Sequence, residues 1–258
     1  MHSPDATRGS PLPLPSEAGR PLVIAHRGAS GHRPENTMAA YELAVEERAD
    51  MIEVDLHVSR DGAIPISHDA TLERLGGQGE IADCELAVVQ ALDAGDGQRV
   101  PILSDVLDRF GDRIPFNLEL KQSTRGPYPG LPAAALAAVR ERGLEADTLF
   151  SSFYRDVLAE LRGHSAEARV ALLLSPQWPE KPIERARALR AEAINPHFTM
   201  AKPDLIDEAH AAGLAVYVYT VDDEAEMERL IELGVDGLFT NQPHRMRILL
   251  ERRERRTG

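Results

Sequence analysis

A closed TIM-type (β/α)8 barrel is the fold class this sequence predicts. Eight short aliphatic runs alternate with segments of helical spacing, and polar residues collect where those runs end. The length of 258 residues also suits one such barrel, which needs roughly 250. Alternating strand and helix implies parallel pairing through right-handed crossovers. An open doubly wound sheet is the competing architecture, but no GxGxxG follows the first run.

The elements follow in order. Residues 1–20, rich in Pro, Ser and Gly, read as a flexible tail without the apolar core of a signal peptide. A single domain, 21–258, then opens with a strand at Leu22–Ala25 and helical spacing over Asn36–Arg48, with Pro34 and Glu35 expected in that helix's first turn. The second strand is Met51–Leu56. Asp61-Gly62, set between alternating segments, predicts a β-hairpin; a two-residue loop would make Asp55 face His68, and a bulge would shift that register by one. Residues 70–114 read as a small insertion with weak helical patterns at Leu86–Leu92 and Leu103–Phe110.

The remaining strands are expected at Pro115–Leu120, Thr148–Ser152, Arg169–Leu174, Ala193–Pro196, Ala215–Tyr219 and Gly237–Thr240. Helical spacing separates them over Pro132–Arg142, Asp156–Arg162, Ile183–Leu189, Asp204–Ala212 and Asp223–Leu233. Gly143, Gly163, Gly213 and Gly234 stand where a left-handed residue closes a helix, and Asp222 reads as an N-cap.

Composition narrows the partners. A chain 43% hydrophobic and 28% charged has apolar material for one large core, with no run long enough to span a membrane. A formal charge of −13 argues against nucleic acid, whose binding needs cations against phosphates. A phosphate-bearing small molecule is compatible, because local cations or a metal reverse the field inside a cleft. Cys84 is alone, so it forms no internal disulfide; it reads as a small core residue and fits a cytoplasmic protein. The basic run Arg245 to Arg256 reads as a solvated helix face, with a membrane-surface contact as the alternative.

Side chains alternate along a strand, and that alternation isolates the chemistry. In Met51–Leu56, Glu53 and Asp55 share a face opposite Ile52, Val54 and Leu56. In the next strand Asn117, Glu119 and Lys121 share a face opposite Phe116, Leu118 and Leu120. Like charges gathered in a barrel mouth require a cation, either arginine partners or a metal. Three carboxylates without cysteine make a hard oxygen site, suited to one Mg2+ or Ca2+ ion rather than zinc. His26 and Arg27 end the first strand, and the hairpin delivers His68 beside the carboxylates. Two imidazoles suit a reaction in which one group removes a proton and another donates one. Arg27 and Lys121 would offset the charge of a bound phosphodiester, although Lys121 also has Glu119 to neutralise. His32, His57 and His197 read first as exposed loop or wall residues, with a place near the mouth as the alternative.

The ordered set His26-Arg-Gly-Ala, Pro34-Glu-Asn-Thr37, Glu53-Val-Asp55, Asp61-Gly, His68-Asp69 and Leu118-Glu-Leu-Lys121 resembles the glycerophosphodiester phosphodiesterase family. Tyr219-Thr-Val and Gly234-Val-Asp-Gly-Leu-Phe-Thr240 are similar to its closing strands, so the resemblance runs from Leu22 to Pro243. It implies a TIM-type barrel that hydrolyses glycerophosphodiesters to sn-glycerol 3-phosphate and an alcohol. By the same resemblance, positions matching Glu53, Asp55 and Glu119 bind the divalent metal, and those matching His26 and His68 act as general acid and base. Arg27 and Lys121 match phosphate contacts, and Tyr219 stands at a substrate contact where tryptophan is usual. Asn241 stands where aspartate is common, a change expected to affect loop structure more than catalysis. A lysophospholipase D or sphingomyelinase D-like enzyme on the same barrel is the runner-up, favoured by a continuous apolar groove at the mouth. A non-catalytic ligand-binding barrel would lack one of the five metal and histidine positions, and all are present.

Overall fold

Strands covered by helices outside and packed side chains inside are buried on both faces, so they read as near-continuous aliphatic runs. In the computed structural model, which describes residues 19–257, these runs are β1 (Leu22–Ala25), β2 (Met51–Leu56), β3 (Phe116–Leu120), β4 (Thr148–Ser152), β5 (Arg169–Leu174), β6 (Ala193–Pro196), β7 (Ala215–Val218) and β8 (Gly237–Thr240). They form one closed parallel barrel, with β1 paired to both β2 and β8. Nearly all of the expected tail, residues 1–18, lies outside the described residues.

Helices α1 (Met38–Glu46), α2 (Leu86–Gln90), α3 (Leu103–Phe110), α4 (Leu131–Glu141), α5 (Arg155–His164), α6 (Pro182–Ala188), α7 (Pro203–Ala211), α8 (Glu224–Glu232) and α9 (Pro243–Thr257) follow the strands, α2 belonging to the insertion. Ile52, Val54, Leu56, Phe116 and Leu118 face these helices in the main core, whereas Leu22, Ile24, Met51, Leu149 and Phe239 fill the barrel interior. The insertion has a satellite core of Leu72, Ile81, Val89 and Val100, against which half-buried Cys84 packs. Among the described residues, no helix is long and apolar enough to cross a membrane.

Local expectations are corrected at several points. Helix α1 starts after Thr37, whose hydroxyl accepts from the Ala40 N–H at 3.2 Å, so Pro34 and Glu35 belong to the preceding loop. Asp223, not Asp222, caps α8 by accepting from the Glu226 N–H at 3.0 Å. Gly163 lies within α5, while Gly143, Gly213 and Gly234 take the expected left-handed conformation. The hairpin turns through three residues, Arg60, Asp61 and Gly62, with Gly62 left-handed at φ 82°. Ser59 therefore pairs with Ala63 and His57 with Pro65, which leaves Asp55 opposite Ser67 instead of His68. On α9, Arg247 is not solvated; it is buried against Asp50.

Candidate active site

The alternation along β2 and β3 places the acidic groups as the sequence suggests. Glu53 pairs in register with Asn117, and Asp55 with Glu119. Glu53, Asp55 and Glu119 each turn an oxygen inward, and those three oxygens lie within 4.8 Å of one another. Glu53 Oε2 accepts from the Arg27 backbone N–H at 2.8 Å, but its Oε1 is buried with no hydrogen-bond partner. Such an orphaned buried oxygen fits a ligand atom for a hard divalent cation, and the donor set contains no sulfur.

The two cations are built into this cluster. Arg27 reaches Asp55 at 3.1 Å and Glu35 at 2.8 Å; Lys121 reaches Glu119 at 2.9 Å and Asp55 at 3.2 Å. Arg27 Nε and Asp55 Oδ1 are close to their ion partners without hydrogen-bond alignment, so these contacts are electrostatic. Asn36 adds a buried hydrogen bond, donating to Asp55 at 2.8 Å while accepting from the Tyr41 hydroxyl at 2.9 Å. Burial, then the neighbouring carboxylates Asp55 and Glu119, push the Glu53 carboxyl well above the usual range. Burial raises Glu119 too, against the pull of Lys121. At Asp55 burial also pushes up, but Lys121 and Arg27 outweigh it and hold that carboxyl low.

His26 and Arg27 both line the cavity because β1 stops just before them. The His26 N–H still bonds Thr240 O at 3.0 Å; Arg27 then takes a left-handed φ of 56° and turns the chain. Gly28, at φ 81°, sits so close to α1 that a Cβ would come 2.6 Å from the Ala40 backbone. His26 Nδ1 lies 2.8 Å from Asn241 Oδ1, so Asn241 touches a predicted catalytic group instead of only shaping its loop. Burial, reinforced by Arg27, pushes the His26 imidazole down to about 4.

His68 reaches the cavity despite the shifted hairpin register. Its Nδ1 lies 2.7 Å from Asp69 Oδ1, and its side chain is 34% exposed, open enough to meet a ligand. The chain there is steadied by His57, which is fully buried: its Nε2 lies 3.3 Å from His68 O and its Nδ1 2.7 Å from the Tyr128 hydroxyl. Burial, then Lys121, push His57 down to about 4. His32 is exposed beside Glu47, whereas His197 does line the cavity.

The cavity measures about 400 Å³, and part of its lining is apolar, with Phe153, Leu173, Phe198, Tyr219 and Phe239. The Tyr219 hydroxyl donates to Leu174 O at 2.8 Å, so the ring is what this residue offers a ligand. All eight residues singled out in the sequence gather at the mouth, seven of them on the cavity wall and Asp55 buried just behind it. Sequence reasoning missed Asn36, Glu35 and Asn241 as partners of the site. The position of Pro34–Thr37, directly after His-Arg-Gly and before a capped helix, was the available signal.

Known proteins match this architecture. The family model described as "Glycerophosphoryl diester phosphodiesterase family" matches residues 26–245. A glycerophosphodiester phosphodiesterase of Caldanaerobacter subterraneus is 34% identical, over 86% of this chain and 94% of its own. One from Bacillus subtilis is 32% identical, over 87% of this chain and 84% of its own. A solved Oleispira antarctica phosphodiesterase, in complex with the product sn-glycerol-3-phosphate, superposes with a TM-score of 0.79 at 30% identity, covering 91% of this chain and 98% of its own.

Proposed function

The chain belongs to the glycerophosphoryl diester phosphodiesterase family, enzymes that hydrolyse glycerophosphodiesters, and from that premise we propose how its residues divide the work. Glu53, Asp55 and Glu119 hold one divalent ion, Mg2+ or Ca2+, and the products are sn-glycerol 3-phosphate and an alcohol. When bound, the ion supplies Lewis acidity and neutralises charge at the phosphoryl oxygens. Three carboxylates and one divalent ion leave one negative charge and the diester adds another, so Arg27 and Lys121 balance the loaded site and grip the non-bridging oxygens.

One of His26 and His68 removes the proton of the attacking hydroxyl, which belongs either to water or to the glycerol hydroxyl next to the phosphate; in the second case a cyclic phosphate forms, and a water then adds to open it to sn-glycerol 3-phosphate. The bond from phosphorus to the alcohol oxygen breaks, and the other imidazole protonates that oxygen. The ring of Tyr219 packs against substrate from the apolar wall. The observation that carries this reading is the convergence of three inward carboxylates, one with an orphaned oxygen, and two imidazoles on one cavity. The product named for the Oleispira relative supports the assigned phosphate product.

The test is incubation with glycerophosphocholine, glycerophosphoethanolamine and a lysolipid, each with Mg2+, Ca2+ or excess chelator. Glycerol 3-phosphate release that chelator abolishes is expected. His26→Ala and His68→Ala each lose about 10²–10⁴-fold in kcat, the range of one acid or base group. Full turnover by either folded variant refutes the roles, and cleavage of the lysolipid alone would favour a lysophospholipase D.

A further inference from the structure

Two pockets adjoin the catalytic cavity, each sharing one residue with it, and they differ in size and lining. On one side His68 is shared with a pocket of about 80 Å³ among Glu35, Asp69 and Arg74, room for about two or three waters. On the other side Phe153 is shared with a pocket of about 410 Å³. The strand ends explain how the larger one is built. Leu149, Ser151 and Phe153 alternate toward the barrel interior, so Phe153 reaches the catalytic cavity while Tyr154, the next residue, lines the outer pocket alone. Lys121 and Gln122 divide in the same way at the end of β3. Trp178 comes from the loop after β5, where Pro176 and Pro179 restrict the chain and the Trp178 N–H closes a turn on Ser175 O at 2.9 Å.

The outer pocket continues an aromatic strip. The chain is only 5% aromatic, yet rings follow one another here from the cavity to the surface. His197 meets Tyr219 with centroids 5.6 Å apart, Tyr219 meets Phe153 edge-on at 5.9 Å, and beyond them Tyr154 meets Trp178 at 6.5 Å. Trp178 is 50% exposed and Tyr154 38%, so their faces stand bare to a ligand. The polar rim decides which kind. Arg155 is offset by Asp156 at 3.7 Å, whereas Arg185 donates to Trp178 O at 3.3 Å and has no carboxylate partner among the described residues. That surplus positive charge disfavours a cationic alcohol. An acyl chain would press hydrocarbon against Gln122, Asp156 and Arg185. A cyclic polyol suits both parts: its ring C–H bonds lie on the negative face of an aromatic ring, and its hydroxyls exchange hydrogen bonds with the rim. We propose that the pocket between Gln122, Phe153, Tyr154 and Trp178 is the subsite for the alcohol arm of the diester, and that this arm is a cyclic polyol, an inositol or a hexose. The glycerol arm is short and constant, so the roomier neighbour falls to the larger arm.

This subsite rests on the phosphodiesterase reading, but its first readout needs no turnover. Trp178 is the only tryptophan of the chain, so its fluorescence reports this pocket directly. Phosphomonoesters carry the alcohol and the phosphate without a diester to cleave. With Mg2+ or Ca2+, inositol 1-phosphate or glucose 1-phosphate is expected to change the fluorescence of the full chain saturably, and whichever does so identifies the ring; phosphoethanolamine leaves it unchanged. A response to phosphocholine as strong as to either ring phosphate overturns the proposal, as does silence toward both ring phosphates. In hydrolysis, kcat/KM for the glycerophosphodiester of the responding ring should exceed that for glycerophosphoethanolamine about tenfold, and Trp178→Ala should remove this preference while Trp178→Phe keeps most of it. Equal loss on both diesters in Trp178→Ala, or a preference for a lysolipid that this substitution removes, also overturns it. A saturable response to a ring phosphate with no diester hydrolysed would support the subsite and count against the proposed reaction.

Discussion

The two ends of the barrel handle buried charge in opposite ways. At the N-terminal ends of the strands, three carboxylates each hold a strand's backbone N–H and a basic side chain. Asp50 accepts from the Val23 N–H at 2.8 Å and pairs with Arg20 and Arg247; Glu192 accepts from the Val170 N–H at 2.6 Å and pairs with Arg162; Asp236 accepts from the Val216 N–H at 2.7 Å and pairs with His210. Each ties a strand edge to a neighbouring element. At the C-terminal ends three carboxylates crowd together, Glu53 keeps an oxygen without a partner, and its carboxyl is driven upward. One end spends its charge on holding the fold, and the other keeps charge in reserve for a ligand. This is the division expected of TIM barrels, whose chemistry sits on the C-terminal face.

Substitutions can break this contrast or sharpen it. The largest effect belongs to Glu53→Gln, which keeps the shape but removes a buried like charge. Activity should fall about 10²-fold or more, because the charge stabilisation lost at a metal site is several kcal/mol. The thermal midpoint measured in chelator should hold or rise, and a drop of several degrees would erase the distinction between the ends. Next is Asp50→Asn, with an expected loss of about 1–3 kcal/mol in urea unfolding for a mismatched charged hydrogen bond, and kcat unchanged within about twofold. Its pH dependence has a definite sign. Burial alone would raise Asp50, but Arg20, the Val23 N–H and Arg247 hold it below its ordinary value. Its stabilisation is therefore present above the unfolded value of about 3.9 and is lost as pH falls through the lower folded value, so the gap to the variant should close in acid. The smallest effect is expected for Tyr219→Phe, which gives up one hydrogen bond to Leu174 O, about 0.5–1.5 kcal/mol of stability, while the retained ring leaves KM unchanged. A several-fold rise in KM would show that the hydroxyl, and not the ring, meets the substrate.

The barrel was legible because its strands leave a direct trace. Leu22–Ala25 and Arg169–Leu174 run between the same residues in sequence and structure, since burial on both faces selects near-continuous apolar runs. Glu53, Asp55, Glu119 and Lys121 were legible as interruptions of fixed parity. The rest depends on contacts that no local pattern encodes. Asn241 meets His26 across 215 residues, and Asn36 reaches Asp55 only because it takes a left-handed φ of 57°. The hairpin register turned on whether Asp61 or Arg60 opened the loop, a choice that Asp61-Gly62 alone leaves undetermined. The cap at Thr37 shows the same limit, because Pro34 and Thr37 are both acceptable starts to a helix.

His57 joins two connections that the chain builds separately. Its ring bridges the backbone of His68, carried by the hairpin after β2, and the phenol of Tyr128, carried by the loop after β3. A designer who grafts a new loop after β3 to change the preferred alcohol is therefore also editing the seat of an imidazole on the neighbouring connection. Keeping a phenol at 128 is the condition for treating the two loops as interchangeable parts.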